Sequence, residues 1–189
     1  IYSSCVAGAC KSKTLASGAQ INDEMLSNVA KHNVTRFPFE ISRLAHARGC
    51  TVGFDLAHAA GNLPLQLHDS GADFAAWCSY KYLNSGPGAV AGAFVHERHA
   101  RADVPRFAGW WGHQQSTRFL MAPEFRPTPG AEGWQLSNPP ILAMAPLAAS
   151  LEHFAAAGMP ALRQKSVALT GYFERLVQAR LAGRVEIIT

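Results

Sequence analysis

Two short apolar segments, each followed by a charged residue, constrain the fold of this 189-residue chain most. Residues 51–55 are predicted to form a buried strand ending in an aspartate, after a helix over 40–48 that Gly49 ends. Residues 73–79 are predicted to form a second buried strand, closely followed by Lys81. A helix, a glycine stop and a buried strand make half of a βαβ unit, so the predicted class is α/β.

The remaining segments are predicted from apolar spacing and glycines. A third strand is expected over 89–95, followed by a short helix or turn. Residues 105–140, rich in Gly, Pro and aromatic side chains, are expected to form a functional loop region. Two helices that end at Gly158 and Gly183 follow, and residues 184–189 look like the start of a strand.

Composition excludes several classes of protein. With 48% hydrophobic and 16% charged residues, the chain can fill a core. No apolar run is long enough to span a bilayer, and the scattered Lys and Arg argue against nucleic-acid binding, so neither partner is expected. The four cysteines show no disulfide pattern and no signal peptide is visible, which favours a cytoplasmic location. The chain does not begin with Met, so we expect a fragment.

Asp55 and Lys81 are the residues that suggest chemistry. Ligands of open α/β sheets bind outside the carboxyl ends of the strands, so both side chains can face one crevice. Pyridoxal phosphate needs this pair: an amine for its aldehyde and a carboxylate for its pyridinium nitrogen. The alternatives are that Lys81 extends past an aromatic pair to solvent and that Asp55 caps a helix; the cap and the cofactor role are compatible.

Four segments, in order, resemble those of the kynureninase family: residues 53–62, 73–84, 109–119 and 136–141. The resemblance runs from about residue 40 onward. It implies a partial large domain of a fold-type-I pyridoxal phosphate enzyme, followed by the helical start of the small domain. It also implies a homodimer that hydrolyses the Cβ–Cγ bond of L-kynurenine, or 3-hydroxykynurenine, to anthranilate, or 3-hydroxyanthranilate, and L-alanine. That reaction belongs to tryptophan catabolism and NAD biosynthesis.

The resemblance also implies roles for individual residues. Lys81 is the Schiff-base lysine and the acid/base at Cα, Asp55 pairs with the pyridinium nitrogen, and His58 supports the cofactor beside it. Tyr80 contacts the phosphate and assists proton transfer. Three more residues are implied in the loop region: Trp110 and Asn138 as cofactor contacts from the neighbouring subunit, and His113 as a contact of the substrate ring. Each of these three also has a structural alternative: Trp110 could pack in a core or interface, His113 could make a loop hydrogen bond, and Asn138 could shape a turn.

Three parts follow from the match: a divergent or poorly ordered segment over 1–39, part of the cofactor-binding large domain over 40–140, and the helical connection and start of the small C-terminal domain over 141–189. Residues 1–25 look like loop, and Ser27 is a weak candidate cofactor contact. A phosphate cradle, a ring-stacking segment and a carboxylate-binding arginine are not recognisable, so we expect little activity from the chain alone. The alternatives are a non-catalytic remnant and a cysteine desulfurase, which is disfavoured because no Cys follows Cys78. Four histidines are expected at the surface: His68, His96, His99 and His153.

Overall fold

The computed structural model describes residues 37–188. The predictions for residues 1–25, for Ser27 and for most of the segment over 1–39 lie outside the described residues.

A three-stranded sheet in the order β1–β2–β3 forms the centre of the described part. Helix α1 (Phe37–His46) comes first, with Gly49 at a φ of 71° just after it. Strand β1 (Gly53–Asp55) pairs in parallel with β2 (Phe74–Cys78), and β3 (Ala91–Val95) pairs antiparallel with β2. All three predicted strands are confirmed, each shorter than predicted: pairing covers the last residues of the segments predicted for β1 and β3 and the central residues of the one predicted for β2.

The core lies around Leu56, Ala59 and Ala75, which are fully buried. Phe54, Trp77 and Phe94 pack against it from the three strands. Two glycines make room for aromatic rings on the neighbouring strand: a side chain at Gly53 would meet the Phe74 ring, and one at Gly92 would meet the Trp77 indole. Small residues therefore allow large rings to cover this small sheet.

After β3 the chain forms a 3₁₀ turn (Glu97–His99), a short helix α2 (Gln115–Arg118) and a second 3₁₀ turn (Ala131–Trp134). Helix α3 (Ile141–Ala157) then runs to Gly158, and helix α4 (Met159–Leu181) follows. Both helices are confirmed, and Gly158 and Gly183 each have a φ of 75°, a backbone conformation that glycine adopts at little cost.

The strand predicted over 184–189 is wrong for the described residues. Residues 182–184 form a turn and 185–188 have no regular structure. Within residues 37–188, no strand pairs with the apolar run there. Strand pairing decides such segments more than local propensity does.

Among the described residues, no single helix has the length and apolar character needed to cross a membrane. Taken together, α3 and α4, with a bend of 83° between them, meet that criterion by length and composition only.

Candidate active site

The parallel pairing of β1 and β2 brings Asp55 and the Lys81 segment to the same edge of the sheet. Asp55 is in register with Ala76, and the Leu56 N–H donates to the Ala76 carbonyl at 2.8 Å. Lys81 follows the end of β2 at Cys78. The carboxyl ends of two adjacent parallel strands therefore carry the aspartate and the lysine, as the sequence predicts.

The turn after β1 orients the Asp55 carboxylate. The Ala57 N–H donates to Asp55 Oδ1 at 2.9 Å, and the Ala60 N–H donates to the Leu56 carbonyl at 2.9 Å. Asp55 thus caps a single helical turn while its side chain remains exposed. The two roles considered for Asp55, capping and ligand binding, are compatible in this geometry.

The turn after β1 also contacts the lysine segment directly. The Cys78 thiol donates to the Ala57 carbonyl at 3.7 Å. A Cβ placed on Gly61 would lie 2.8 Å from the carbonyl carbon and oxygen of Tyr82. Gly61 also has a φ of 80°. A glycine is therefore required here by both conformation and space.

The backbone on both sides of Lys81 is held by hydrogen bonds. The Asn84 N–H donates to the Lys81 carbonyl at 3.0 Å, and the Ser85 N–H donates to the Ser79 carbonyl at 3.1 Å. From helix α3, the Ser150 hydroxyl donates to the Leu83 carbonyl at 2.5 Å. These contacts form a tight loop that fixes where the lysine leaves the sheet.

The charges of Lys81 and Asp55 both affect the pKa of a neighbouring side chain, His58. Loss of solvation lowers the pKa of His58, and the positive charge of Lys81 lowers it further, while the Asp55 carboxylate raises it. The His58 ring meets the Tyr82 ring edge to face at a centroid distance of 6.4 Å. Lys81 Nζ lies 5.9 Å from the centre of the Tyr80 ring. The structure therefore brings Asp55, His58, Tyr80 and Lys81 into one cluster.

The donor set of this cluster fits pyridoxal phosphate. A half-buried lysine amine and an exposed carboxylate leave adjacent parallel strands, and the carboxylate uses one oxygen for the Ala57 cap. An amine can hold the aldehyde, and a carboxylate can hold the pyridinium nitrogen. The nearby His58, with its lowered pKa, adds no strong positive charge that would compete for Asp55 at neutral pH.

Trp110 and His113 lie in a separate aromatic loop, which we define as residues 109–119. The Trp110 ring meets Phe119 edge to face at 5.4 Å, and His113 Nε2 is 2.9 Å from Thr117 Oγ1. Within the part of the chain described, neither residue has a hydrogen bond or ring contact with Lys81. Asn138 is exposed, between the second 3₁₀ turn and α3. The roles of these three residues stay predictions.

A buried carboxylate at the opposite end of β2 was missed by sequence reasoning. Asp73 is 5% exposed and accepts hydrogen bonds from the Val52 N–H at 2.7 Å, from His46 Nε2 at 2.8 Å and from His99 Nε2 at 2.7 Å. Arg98 Nε lies 3.4 Å from Asp73 Oδ1. The prediction that His99 is a plain surface residue is therefore wrong. The signal that could have revealed it is an acidic residue between Ala72 and Phe74 in an apolar segment, because a buried carboxylate needs hydrogen-bonding or charged partners.

The comparisons with known proteins agree with this geometry. No known family profile matches the chain. Over 150 residues, 79% of the chain, it is 67% identical to a kynureninase of Xanthomonas campestris pv. campestris and 69% identical to one of Stenotrophomonas maltophilia. The chain spans about 35% of the length of these relatives.

Solved structures show the same fold at low sequence identity. A cysteine desulfurase from Escherichia coli superimposes with a TM-score of 0.58 at 20% identity, covering 77% of this chain and 34% of that one. An alanine–glyoxylate aminotransferase from Nostoc sp. gives 0.51 at 20% identity, covering 74% and 35%. The described part of the chain thus has the partial fold of fold-type-I pyridoxal phosphate enzymes. By its sequence, the matched part of the chain is similar to about a third of the length of kynureninases.

Proposed function

We propose that this chain carries the lysine-and-aspartate part of a kynureninase active site, which binds pyridoxal 5′-phosphate. The observation that carries the proposal is the parallel register of β1 and β2, which places Asp55 and Lys81 at one sheet edge within a segment 67% identical to kynureninases. The proposed reaction hydrolyses L-kynurenine, or 3-hydroxykynurenine, to L-alanine and anthranilate, or 3-hydroxyanthranilate. Water breaks the Cβ–Cγ bond; its oxygen ends in the anthranilate carboxylate and a proton ends on Cβ of alanine.

In this proposal the residues of the cluster have separate roles. The Lys81 amine would hold the cofactor through its aldehyde, and as a free amine it would accept the proton from Cα of the substrate. Asp55 accepts a hydrogen bond from the pyridinium nitrogen and keeps it protonated. When bound, pyridoxal phosphate supplies a ring that withdraws electrons from Cα. His58, whose pKa is lowered, lies beside this pair as a neutral hydrogen-bonding group.

Further roles are proposed for Tyr80 and for three residues of the loop region. Tyr80 binds the phosphate and assists proton transfer, and His113 contacts the aromatic ring of kynurenine. Trp110 and Asn138 contact the cofactor of a neighbouring subunit in a cytoplasmic homodimer. Tyr80, Trp110 and Asn138 are all exposed in the single chain, so each is accessible to a ligand or to a second subunit.

A chimeric enzyme tests the function, because a full-length relative supplies the parts of the active site that lie outside the aligned residues. The 150 aligned residues replace their counterparts in the Stenotrophomonas maltophilia kynureninase, and anthranilate release from kynurenine is measured. We expect activity near that of the parent enzyme, and a loss of at least about 10²-fold with Lys81→Ala, because proton transfer at Cα loses its base. Lys165→Ala, an exposed lysine of α4, is the control. An inactive but folded chimera would refute the proposal.

Covalent labelling tests the cofactor lysine in the chain itself. Pyridoxal phosphate is added to the purified chain, the imine is reduced with borohydride, and the modified peptide is mapped. The proposal expects the label on Lys81. A label on Lys31 or Lys165 instead, or no absorbance change on adding the cofactor, would favour the alternative of a non-catalytic remnant.

A further inference from the structure

Arg118 is the residue that holds the aromatic loop together. It ends α2, and its Nη2 donates to the carbonyls of Trp111 and His113, at 2.8 Å each. Its guanidinium carbon lies 4.7 Å from the centre of the Trp111 ring and 5.9 Å from that of Trp110. One side chain therefore contacts three residues of the loop, two of which have proposed roles.

These contacts depend on the shape of a guanidinium group. Its plane can stack on an indole while its edge donates to carbonyl oxygens, which an ammonium group does poorly. Arg118 Nε is buried and has no hydrogen-bond partner among the described residues. Burying a donor without a partner costs free energy. The carbonyl hydrogen bonds and the indole contacts of Arg118 must offset this cost.

The backbone of the loop is fixed on its other side by residues 126–136. The Gly112 N–H donates to the Gln135 carbonyl at 3.0 Å, and the Thr128 N–H donates to the Gly112 carbonyl at 2.8 Å. The Gln114 N–H donates to the Arg126 carbonyl at 2.8 Å. The carbonyls of Trp111 and His113 are held instead by Arg118. Arg118 therefore holds the backbone that carries the Trp110 and His113 side chains, together with the ring contact of Trp110 with Phe119 and the hydrogen bond between His113 and Thr117.

We propose that Arg118 is a positioning residue that sets the orientation of Trp110 and His113 for binding of the cofactor and the kynurenine ring. The proposal rests on the proposed function. Arg118 does not touch substrate; it acts through the two carbonyls and the two indoles. Its loss should weaken substrate binding more than it slows the chemical step, since neither Lys81 nor Asp55 contacts it.

The chain offers a matched control in Arg106. Its guanidinium carbon lies 4.3 Å from the centre of the Trp134 ring, and its Nη2 donates to the Ala102 carbonyl at 2.6 Å. It too has a buried nitrogen without a hydrogen-bond partner among the described residues. Arg106→Lys therefore removes the same kinds of contact, a stacked indole and a carbonyl hydrogen bond, from outside residues 109–119.

Two measurements test the proposal. In the full chain with Trp77→Phe and Trp134→Phe, only Trp110 and Trp111 fluoresce, and we expect Arg118→Lys to increase their quenching by acrylamide. In the chimera, Arg118→Lys should raise KM for kynurenine about tenfold, the effect of losing one charge-assisted hydrogen bond, with kcat nearly unchanged. In the chimera, which keeps Trp134, Arg106→Lys should leave KM for kynurenine unchanged.

The outcomes separate this proposal from the one it rests on. Unchanged quenching and KM in Arg118→Lys would overturn the positioning role. An equal rise of KM in Arg106→Lys would overturn it too, because it would indicate a general loss of packing. The quenching measurement uses no substrate and no cofactor. An inactive chimera would refute the proposed function. The quenching measurement would then still test the positioning role, because unchanged quenching in Arg118→Lys would show that Arg118 does not orient the loop.

Discussion

Gly61 is the residue at which the turn after β1 contacts the lysine segment. Its φ is 80°, and a Cβ at this position would lie 2.8 Å from the Tyr82 carbonyl, so there is no room for a side chain. Asp55 and Lys81 could be predicted because each charged side chain comes at or just after the carboxyl end of an apolar strand, where ligands of open α/β sheets bind. Gly61 could not, because the constraint comes from a segment that is distant in sequence.

Gly61→Ala should therefore shift the lysine segment away from Asp55. Alanine at a positive φ costs about 1–2 kcal/mol, and overpacking adds roughly 1–3 kcal/mol. The matched control is Gly183→Ala, which has a φ of 75° and nothing within 4 Å of its Cβ position. Thermal unfolding should show a larger loss for Gly61→Ala, and borohydride labelling of Lys81 should fall in that variant only. Equal losses in the two variants would contradict a close approach at Gly61.

His58 reports the two charges of the site through its own titration. Because Lys81 lowers the pKa of His58 and Asp55 raises it, the two substitutions should have opposite effects. Lys81→Met should raise the pKa of His58 toward its ordinary value of 6.5, and Asp55→Asn should lower it further. Titration of the His58 ring signals by NMR checks both signs, with Lys165→Met as the control. Shifts of the same sign would refute the arrangement of charges.

At the scale of elements, Asp73 joins four of them: α1 through His46, the segment before β1 through Val52, β2 itself, and the first 3₁₀ turn through His99. Burial alone raises the pKa of Asp73, but hydrogen bonds from His99, Val52 and His46 outweigh burial and lower the pKa to about 2. An ionised carboxylate only accepts, so both imidazoles donate to it through Nε2.

Asp73 should make the stability of the fold depend on acid pH. Its folded pKa of about 2 lies below the ordinary value of 3.8, so its contribution is present above pH 3.8 and is lost as the pH falls toward 2. The difference corresponds to roughly 2 kcal/mol at neutral pH. Asp73→Asn should lower the free energy of unfolding by at least that amount at pH 7, and the difference from the parent should shrink by pH 2.

Urea unfolding at several pH values checks this prediction. Asp69→Asn is the control, because that carboxylate is 70% exposed and pairs with the exposed His68, an arrangement that contributes about 0–1 kcal/mol. If the free energy of unfolding depends on pH in the same way in the parent and in Asp73→Asn between pH 4 and 2, the role of Asp73 is contradicted.

The elements themselves could largely be predicted from sequence. Apolar periodicity and the terminal glycines Gly49, Gly158 and Gly183 give α1, α3 and α4, and the apolar runs give three strands. The antiparallel direction of β3 and the junction at Asp73 could not be predicted, because both depend on contacts between distant segments. The strand prediction for residues 184–188 is wrong for the same reason, because an apolar run becomes a strand only where a partner strand lies beside it.

At the scale of the whole molecule, α3 presents apolar side chains to solvent. None of its residues is buried; Ile141 is 81% exposed, Leu142 88% and Met144 40%. A three-stranded sheet and two long helices give the described residues little surface against which to bury them. Contiguous exposed apolar side chains favour association.

The purified chain should therefore associate with itself through α3. Size-exclusion chromatography with light scattering should give a mass above the 20.3 kDa of a monomer, rising with protein concentration. Replacing Ile141 and Leu142 by Glu should lower this mass toward that of a monomer without lowering the thermal midpoint, because neither side chain packs in the core. Ala148→Glu is the control: it adds the same kind of charge at an exposed position of α3 but removes little apolar surface. If Ala148→Glu lowers the mass as much as the double substitution does, net charge and not the apolar surface at Ile141 and Leu142 controls association.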